Sequence, residues 1–344
     1  MSLSVLKPGL LSSFQDLGRL GYQHQGIPVA GAMDARAHRL ASLLAGNDPA
    51  RSASLEITLQ GPTLRFDAAA CFALSGAPLG AALNGKPIPV NRPLLARPGD
   101  VLSFGPAAAS TGPGGVPGLR AYLAVHGGFA LRRVMDSEST YLRSGFGGYQ
   151  GRALAKGDTV ALHARLDPDA LDALEDALWE TRLYLPGTLA LQARATVRAT
   201  PGRQWDAFTA EARDAFVTAA FIVTPQSERM GYRLRGPSLS METPRQMLSE
   251  ATCFGTVQVP ADGAPIVLMA DRQTTGGYPK IAQVASVDLP VLAQTAPGST
   301  IRFEMISLEH AQRLDGERET AFARLAAALV PLRDLYARHT AASN

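Results

Sequence analysis

Short apolar runs separated by glycine and proline set the pattern of this chain. SLEITL (54–59), TLRF (63–66), CFALSG (71–76), LGAAL (79–83) and PIPV (87–90) follow one another at short intervals. Apolar runs of this length, bounded by turn residues, read as strands. Asn84-Gly85 predicts a tight hairpin between the last two, because both central residues of that turn need positive φ. PGDVLSFG (98–105) reads as a turn and a strand, and RAYLAVHGGF (120–129) as a buried strand ending in glycines. Residues 110–118, STGPGGVPG, read as a flexible surface loop. The spacing changes to a helical period in four places. DARAHRLASLLAGN has Asp34 as its cap, Leu40, Leu43 and Leu44 as an apolar face, and Gly46-Asn47 as its stop. A second helix starts at Asp167-Pro168 and runs through DALDALEDALWE. A third covers WDAFTAEARDAF, and LEHAQRLDGERETAFARLAAALV predicts a last amphipathic helix.

The fold class that follows is mainly β with a few helices. Three echoes recur in the same order in the two halves. RLGY (19–22) returns as RMGY (229–232), GPTL (61–64) as GPSL (236–239), and PGDVLSF (98–104) as PGSTIRF (297–303). They imply two related β-domains, with boundaries at 1–185 and 186–306 and a terminal helical segment over 307–344. Related halves imply a shared cleft, where ligand sites concentrate.

Composition narrows the function classes. The chain has 344 residues, 46% hydrophobic and 18% charged, an ordinary globular balance. A formal net charge of +3 with no basic stripe gives no reason to expect nucleic acid. No apolar stretch approaches the roughly 20 residues of a membrane helix. The N-terminal stretch lacks the apolar core of a signal peptide. Cys71 and Cys253 lie in apolar runs and read as buried reduced thiols, which points to the cytoplasm. GAALNGKP (80–87) approaches a phosphate-loop pattern but has Pro87 where a hydroxyl is needed, and it sits on a hairpin. The histidines show no metal spacing, so no metal site is expected.

PIVLMADRQTTGGYPKIAQV (265–284) carries the chemistry. Two buried-strand patterns flank a polar connection. Gly276 and Gly277 let backbone approach a ligand and expose N–H groups. Gln273, Thr274 and Thr275 add polar side chains, and Tyr278 an aromatic one. Lys280 is a point cation and Arg272 a planar fork for phosphate or carboxylate. Asp271 accepts hydrogen bonds, as from an amide N–H; the alternative is that it caps the turn and pairs with Arg272 or Arg229. Other stretches share this character. QDLGRLGYQHQGIPVAGAMD (15–34) holds Asp16, Arg19, Tyr22 and His24. DSESTYLRSGFGGYQGR (136–152) holds Tyr141, Arg143, Gly147 and Gly148, and SERMGYRLRGP (227–237) holds Arg229 and Tyr232. His24 and His126 adjoin glycine-rich segments and fit either a catalytic or a structural role. Glu56, inside an apolar run, reads as one half of an internal ion pair.

These motifs together resemble the 5-oxoprolinase C-subunit family, also called allophanate hydrolase subunit 2 or biotin-dependent carboxyltransferase, and the carboxyltransferase domain of urea carboxylase is similar. The resemblance runs from about Lys7 to Phe303. It departs from the family pattern over Pro201–Phe208, at His126 and at Ala251. It implies two cyclophilin-like β-barrels and a 5-oxoprolinase B-subunit-like partner. It also implies an A-subunit working in the same reaction, the ATP-dependent ring opening of 5-oxoproline to L-glutamate. ATP would bring its own Mg2+, and no covalent biotin is expected on this chain, which lacks a Met-Lys-Met segment. On that implication Asp271 accepts the lactam N–H, while Lys280 and Arg272, with Arg143 or Arg229, receive the migrating phosphoryl group. Gly276-Gly277 and Gly147-Gly148 hold oxygens, and Tyr22, Tyr141, Tyr232 and Tyr278 form a wall. Two other classes stay open: a carboxyltransferase served by biotin on another chain, and a non-catalytic regulator of a B-subunit-like protein.

Overall fold

The computed structural model describes residues 1–105, 118–190, 194–243 and 247–340. The loop expected at 110–118 lies outside these, save Gly118. The chain divides into two compact units, interleaved in sequence. Met1–Gly18, Asp34–Leu191 and Thr320–Asn344 form the first; Arg19–Met33 and Gln192–Glu319 form the second.

The first unit holds β1 (Ser2–Lys7), β2 (Leu11–Gln15), β3 (Ser54–Thr58), β4 (Thr63–Phe66), β5 (Ala70–Gly76), β6 (Ala81–Leu83), β7 (Lys86–Pro87), β8 (Pro93–Ala96), β9 (Val101–Phe104), β10 (Arg120–Val125) and β11 (Thr159–Ala161). They form a six-stranded sheet, β11-β1-β4-β9-β6-β7, and a five-stranded sheet, β2-β3-β10-β5-β8. Residues from both sheets, Leu3, Leu64, Phe66 and Leu102 with Leu55, Phe72 and Leu123, share one core. β5 shows why its run is apolar throughout. Phe72 and Leu74 face that core, while Cys71 and Ala73 face a second cluster with Leu40 and Leu44 of α1 (Ala35–Leu44). A strand covered on both faces loses the usual alternation. Asp34 caps α1 as expected, accepting from the Ala37 N–H. The helix at Asp167-Pro168 opens with a 3-10 turn and continues as α2 (Leu171–Glu180). Asn84 and Gly85 have φ of 51° and 77° between β6 and β7, the hairpin the sequence demanded.

The second unit holds β12 (Thr196–Pro201), β13 (Phe221–Val223), β14 (Gly231–Arg235), β15 (Glu250–Ala251), β16 (Thr256–Gln258), β17 (Ile266–Leu268), β18 (Thr275–Gly276), β19 (Lys280–Val284) and β20 (Thr300–Met305). Seven of these close into a barrel, β12-β19-β16-β17-β14-β13-β20, while β15 and β18 form a separate ribbon. Closure runs through β12 and β20, which pair in parallel. Phe216 of α3 (Ala210–Thr218) stacks on Phe303 at 4.4 Å in the barrel core, and α4 (Leu289–Ala293) adds Val291 and Leu292. Met33, fully buried, belongs to this same core, which is why 19–33 groups with the barrel.

The last predicted helix is α5 (Leu308–Ala328), followed by α6 (Val330–His339), a separate helix with proline in its first turn. Phe322, Leu325, Leu332 and Tyr336 pack with Leu40 and Leu44 of the first unit, so the terminal segment is part of that unit's core. His126 explains one departure from the family pattern. Its Nδ1 donates to the Ala45 carbonyl at 2.9 Å and its ring lies 4.6 Å from that of Tyr336. It is a packing residue.

Both cysteines are free. Cys71 is buried as expected, but Cys253 is exposed, because it occupies the turn before β16 and not a strand interior. Of the three echoes, PGDVLSF and PGSTIRF land on equivalent features: Gly99 and Gly298, with φ of 93° and 88°, precede β9 and β20. RLGY and RMGY both fall in the second unit, and only the latter enters a strand.

Candidate functional site

The connection from β17 to β19 concentrates the second unit's polar groups. It begins at Asp271, whose N–H donates to the Arg229 carbonyl at 2.8 Å. The Arg229 guanidinium returns two bonds to the Asp271 carboxylate, both 2.9 Å, and donates a third, at 2.6 Å, to the Gly31 carbonyl. Both side chains are nearly sealed from solvent, at 7% exposure each. The planar fork matches the carboxylate in bidentate fashion. Pairing with Arg229 was the alternative reading of Asp271, and it is the arrangement found. A carboxylate has about four lone-pair sites, so two bonds leave acceptor capacity.

Arg272 is held differently. Its Nη1 lies 3.4 and 3.5 Å from the Met269 and Ala270 carbonyls, and its Nε is buried with no hydrogen-bond partner among the described residues. The guanidinium carbon stands 5.8 Å from the Phe254 ring centroid. Burial pulls its pKa below the usual arginine range, with Cys253 and Asp271 acting against it. These weak contacts leave a planar cation able to receive an anionic oxygen.

Lys280 opens β19, and its ammonium is already engaged. It donates to Glu250 Oε2 at 3.1 Å and to the Ala251 carbonyl at 2.8 Å. Arg203 reaches the other Glu250 oxygen at 3.1 Å. The Lys280 hydrogen bond, opposed by some burial and aided by the Lys280 and Arg203 charges, holds the Glu250 carboxyl below its usual range. Glu250 also pairs across the ribbon with Gly276, and Ala251 with Thr275. Gln273 donates its Nε2 to Gln258 Oε1 at 3.4 Å, and Thr252 donates to the Gln273 carbonyl through its hydroxyl and to the Thr274 carbonyl through its N–H.

The glycine pair differs from the sequence expectation. Neither Gly276 nor Gly277 has positive φ, so they do not form a concave run of successive N–H groups. Gly276 lies close under a side chain: a Cβ there would stand 2.6 Å from Gln258 Nε2 and would have to push that carboxamide aside. Gly277, Tyr278 and Pro279 form one wall of a pocket of about 350 Å³, whose other walls include Phe208, Leu239 and Met241. Tyr278 is half exposed there.

The remaining candidates fall on other elements. Tyr232 is 2% exposed inside the barrel core, so it packs and offers no wall to a ligand. Tyr22 is partly buried, and its carbonyl accepts from the N–H groups of Gln25 and Ile27, while His24 is exposed on the 3-10 turn Gln23–Gln25. Tyr141, Arg143, Gly147 and Gly148 lie in the first unit. Gly147 and Gly148 do have positive φ, 72° and 53°, and a Cβ on Gly148 would meet Thr140 Oγ1 at 1.9 Å. Tyr141 is buried edge-on to Phe146, and Arg143 is exposed. Asp16, buried beside this loop, accepts from the Ser137 and Ser139 hydroxyls at 2.8 and 2.5 Å and from the Glu138 N–H at 2.6 Å, which pins the segment. Glu56 accepts from the Tyr122 hydroxyl at 2.7 Å, with Arg120 Nε at 3.9 Å. Among the described residues, no group of three or more His, Cys, Asp or Glu is placed to hold a metal, and no helix is long and apolar enough to cross a membrane.

A family model described as "carboxyltransferase domain, subdomain A and B" matches residues 25–305. The chain belongs to that family. As a carboxyltransferase-domain protein it is 37% identical to the 5-oxoprolinase C-subunit of Escherichia coli, over 94% of this chain and 97% of that protein. It is 37% identical to the corresponding C-subunit of Haemophilus influenzae, over 92% and 95% respectively. Its fold matches the crystal structure of the K. lactis urea amidolyase with a TM-score of 0.82 at 30% identity, covering 94% of this chain but 20% of that one. For this carboxyltransferase-domain chain the sequence reading passed over Gln258 and Thr252. One signal was available: Gln258 interrupts the apolar run TVQVP, where a polar residue at a buried strand position needs a reason.

Proposed function

We propose that this chain is the C-subunit of an ATP-dependent 5-oxoprolinase, acting with the B and A subunits to open the lactam of 5-oxoproline to L-glutamate. Near full-length identity of 37% to a protein of that name, with almost complete coverage of both chains, carries this reading. A five-membered lactam is a poor electrophile, and ATP supplies activation of its amide oxygen. The donor set in the second unit suits that chemistry. Arg272, loosely held, receives an anionic oxygen of substrate or nucleotide. Lys280, fixed by Glu250, keeps a positive charge beside the glycine ribbon. Asp271, oriented by Arg229, retains acceptor capacity for the lactam N–H. Such a site acts through positioning and charge stabilisation. In this reading the protein is cytoplasmic and any Mg2+ arrives with the nucleotide.

A second reading has its own support. The family description and the fold shared with the K. lactis urea amidolyase favour transfer of a carboxyl group from carboxybiotin, carried by another chain, to a urea-like amide. An assay of the complex against lactams and ureas separates the two. ADP release stimulated by 5-oxoproline and insensitive to avidin is the expected result. Stimulation by ureas alone, abolished by avidin, would move the assignment to carboxyl transfer.

A further inference from the structure

We propose that the Gln258 carboxamide binds substrate directly: its Nε2 donates a hydrogen bond to a carbonyl or carboxylate oxygen of the amide substrate, beside Gly276. The inference rests on the reading that this chain binds such a substrate. Gln258 closes β16 at 1% exposure, paired in register with Lys280 on β19 and Ile266 on β17. Its Oε1 accepts from Gln273, which fixes the orientation of the amide and leaves Nε2 as the remaining donor. That Nε2 is buried and has no hydrogen-bond partner among the described residues.

Buried donors in folded proteins are almost always paired, so an unpaired one calls for an oxygen of a water or a ligand. The surroundings fit that use. The point at which a Gly276 Cβ would stand lies 2.6 Å from Gln258 Nε2, 3.3 Å from Gln273 Nε2 and 3.4 Å from the Thr252 methyl. Two amide nitrogens thus lie close against the Gly276 backbone. N–H donors of this kind recognise a carbonyl or carboxylate oxygen and repel a cation. Glu250, paired with Gly276 across the ribbon, holds the Lys280 ammonium on one oxygen and Arg203 on the other, a trio of net positive charge. An oxygen that gains negative charge during ring opening is stabilised by such an arrangement.

A tightly held water would satisfy the same donor, and the experiment distinguishes it. Gln258→Met keeps the side-chain length and removes the donor. In the reconstituted complex it should lower kcat/KM for 5-oxoproline on the order of 10²-fold while leaving KM for ATP unchanged. Its unfolding midpoint should stay near that of the wild type, since removal of an unpaired buried donor offsets loss of the long bond from Gln273. An active wild type whose Gln258→Met variant keeps kcat/KM within about twofold overturns the inference and leaves the functional reading standing. A wild-type complex with no 5-oxoproline-dependent turnover removes that reading and the inference with it. If the variant does not fold, the side-chain amide resonance of Gln258 in the wild-type complex decides. Movement on adding 5-oxoproline, but not acetate, supports the contact, and an unmoved resonance at saturating 5-oxoproline overturns it.

Discussion

Asp271 and Lys280 are both charged and nine positions apart, yet their surroundings predict opposite consequences when each is changed. Asp271 shares two hydrogen bonds with a guanidinium that is itself buried. Asp271→Asn takes a carboxylate away from that guanidinium, and breaking a buried pair from one side costs about 3–5 kcal/mol. The expected outcome is a large fall in the urea midpoint of the isolated chain; an unchanged midpoint would contradict the structural role assigned to the pair. Lys280 pairs with Glu250 in a more open setting, with side chains 12% and 25% exposed. Removing Lys280 leaves Glu250 its second cation, Arg203, so no carboxylate is stranded. Lys280→Ala should therefore fold normally and lose turnover on the order of 10²-fold. Near-native turnover of the folded variant would remove Lys280 from the reaction. The sequence marked both residues through their density of donors and acceptors between two apolar strands. It could not rank them, because burial and pairing are set by Arg229 and Glu250, residues distant in the chain.

At the scale of elements, features written in adjacent residues were legible and those made by distant pairing were not. Asn84-Gly85 dictated its hairpin, and Asp34 its helix start. β15 and β18 hold two residues each and carry no periodicity, so the ribbon that seats Gly276 was invisible. β8 opens with Pro93 and lies at a sheet edge, where a missing N–H is tolerated, so its proline masked it. α6 was merged into the preceding helix, though Pro331 marks its first turn. The glycines separate two kinds of requirement. Gly85 has positive φ but nothing near its absent Cβ, so Gly85→Ala should cost only the left-handed backbone penalty, about 1–2 kcal/mol. Gly148 has positive φ and Thr140 Oγ1 in the way, so Gly148→Ala should lower the thermal midpoint by clearly more. Equal effects in calorimetry would show that the loop at 141–151 yields more readily than its contacts imply.

For the whole molecule, the mainly β class was readable from run lengths, but the interleaving of the two units was not. Residues 19–33 join the barrel unit through buried Met33, and residues 320–344 join the first unit through Phe322, Leu332 and Tyr336. No local pattern encodes such long-range membership. It also buries titratable groups. In His38 and His126 burial pushes the imidazole pKa below its usual value, against an opposing pull from the Pro49 and Ala45 carbonyls. The unfolded chain then binds these protons more tightly, so stability is complete above about pH 6.5 and declines as the pH falls below it. His126→Asn keeps a donor for the Ala45 carbonyl without the titration, and should flatten the decline between pH 7.5 and about 5 in denaturant titrations. An unchanged slope would show that the His126 proton does not contribute.

The central claim is that this chain completes a lactam-opening enzyme whose oxygen-binding and cationic groups lie in the 250–280 region. The most direct test is ADP and glutamate release from 5-oxoproline by the B and A subunits with this chain added or omitted. The account predicts stoichiometric ADP and glutamate when the chain is present, and loss of that turnover when it is omitted or carries Lys280→Ala. Turnover that is the same without the chain, or with the folded variant, would contradict it.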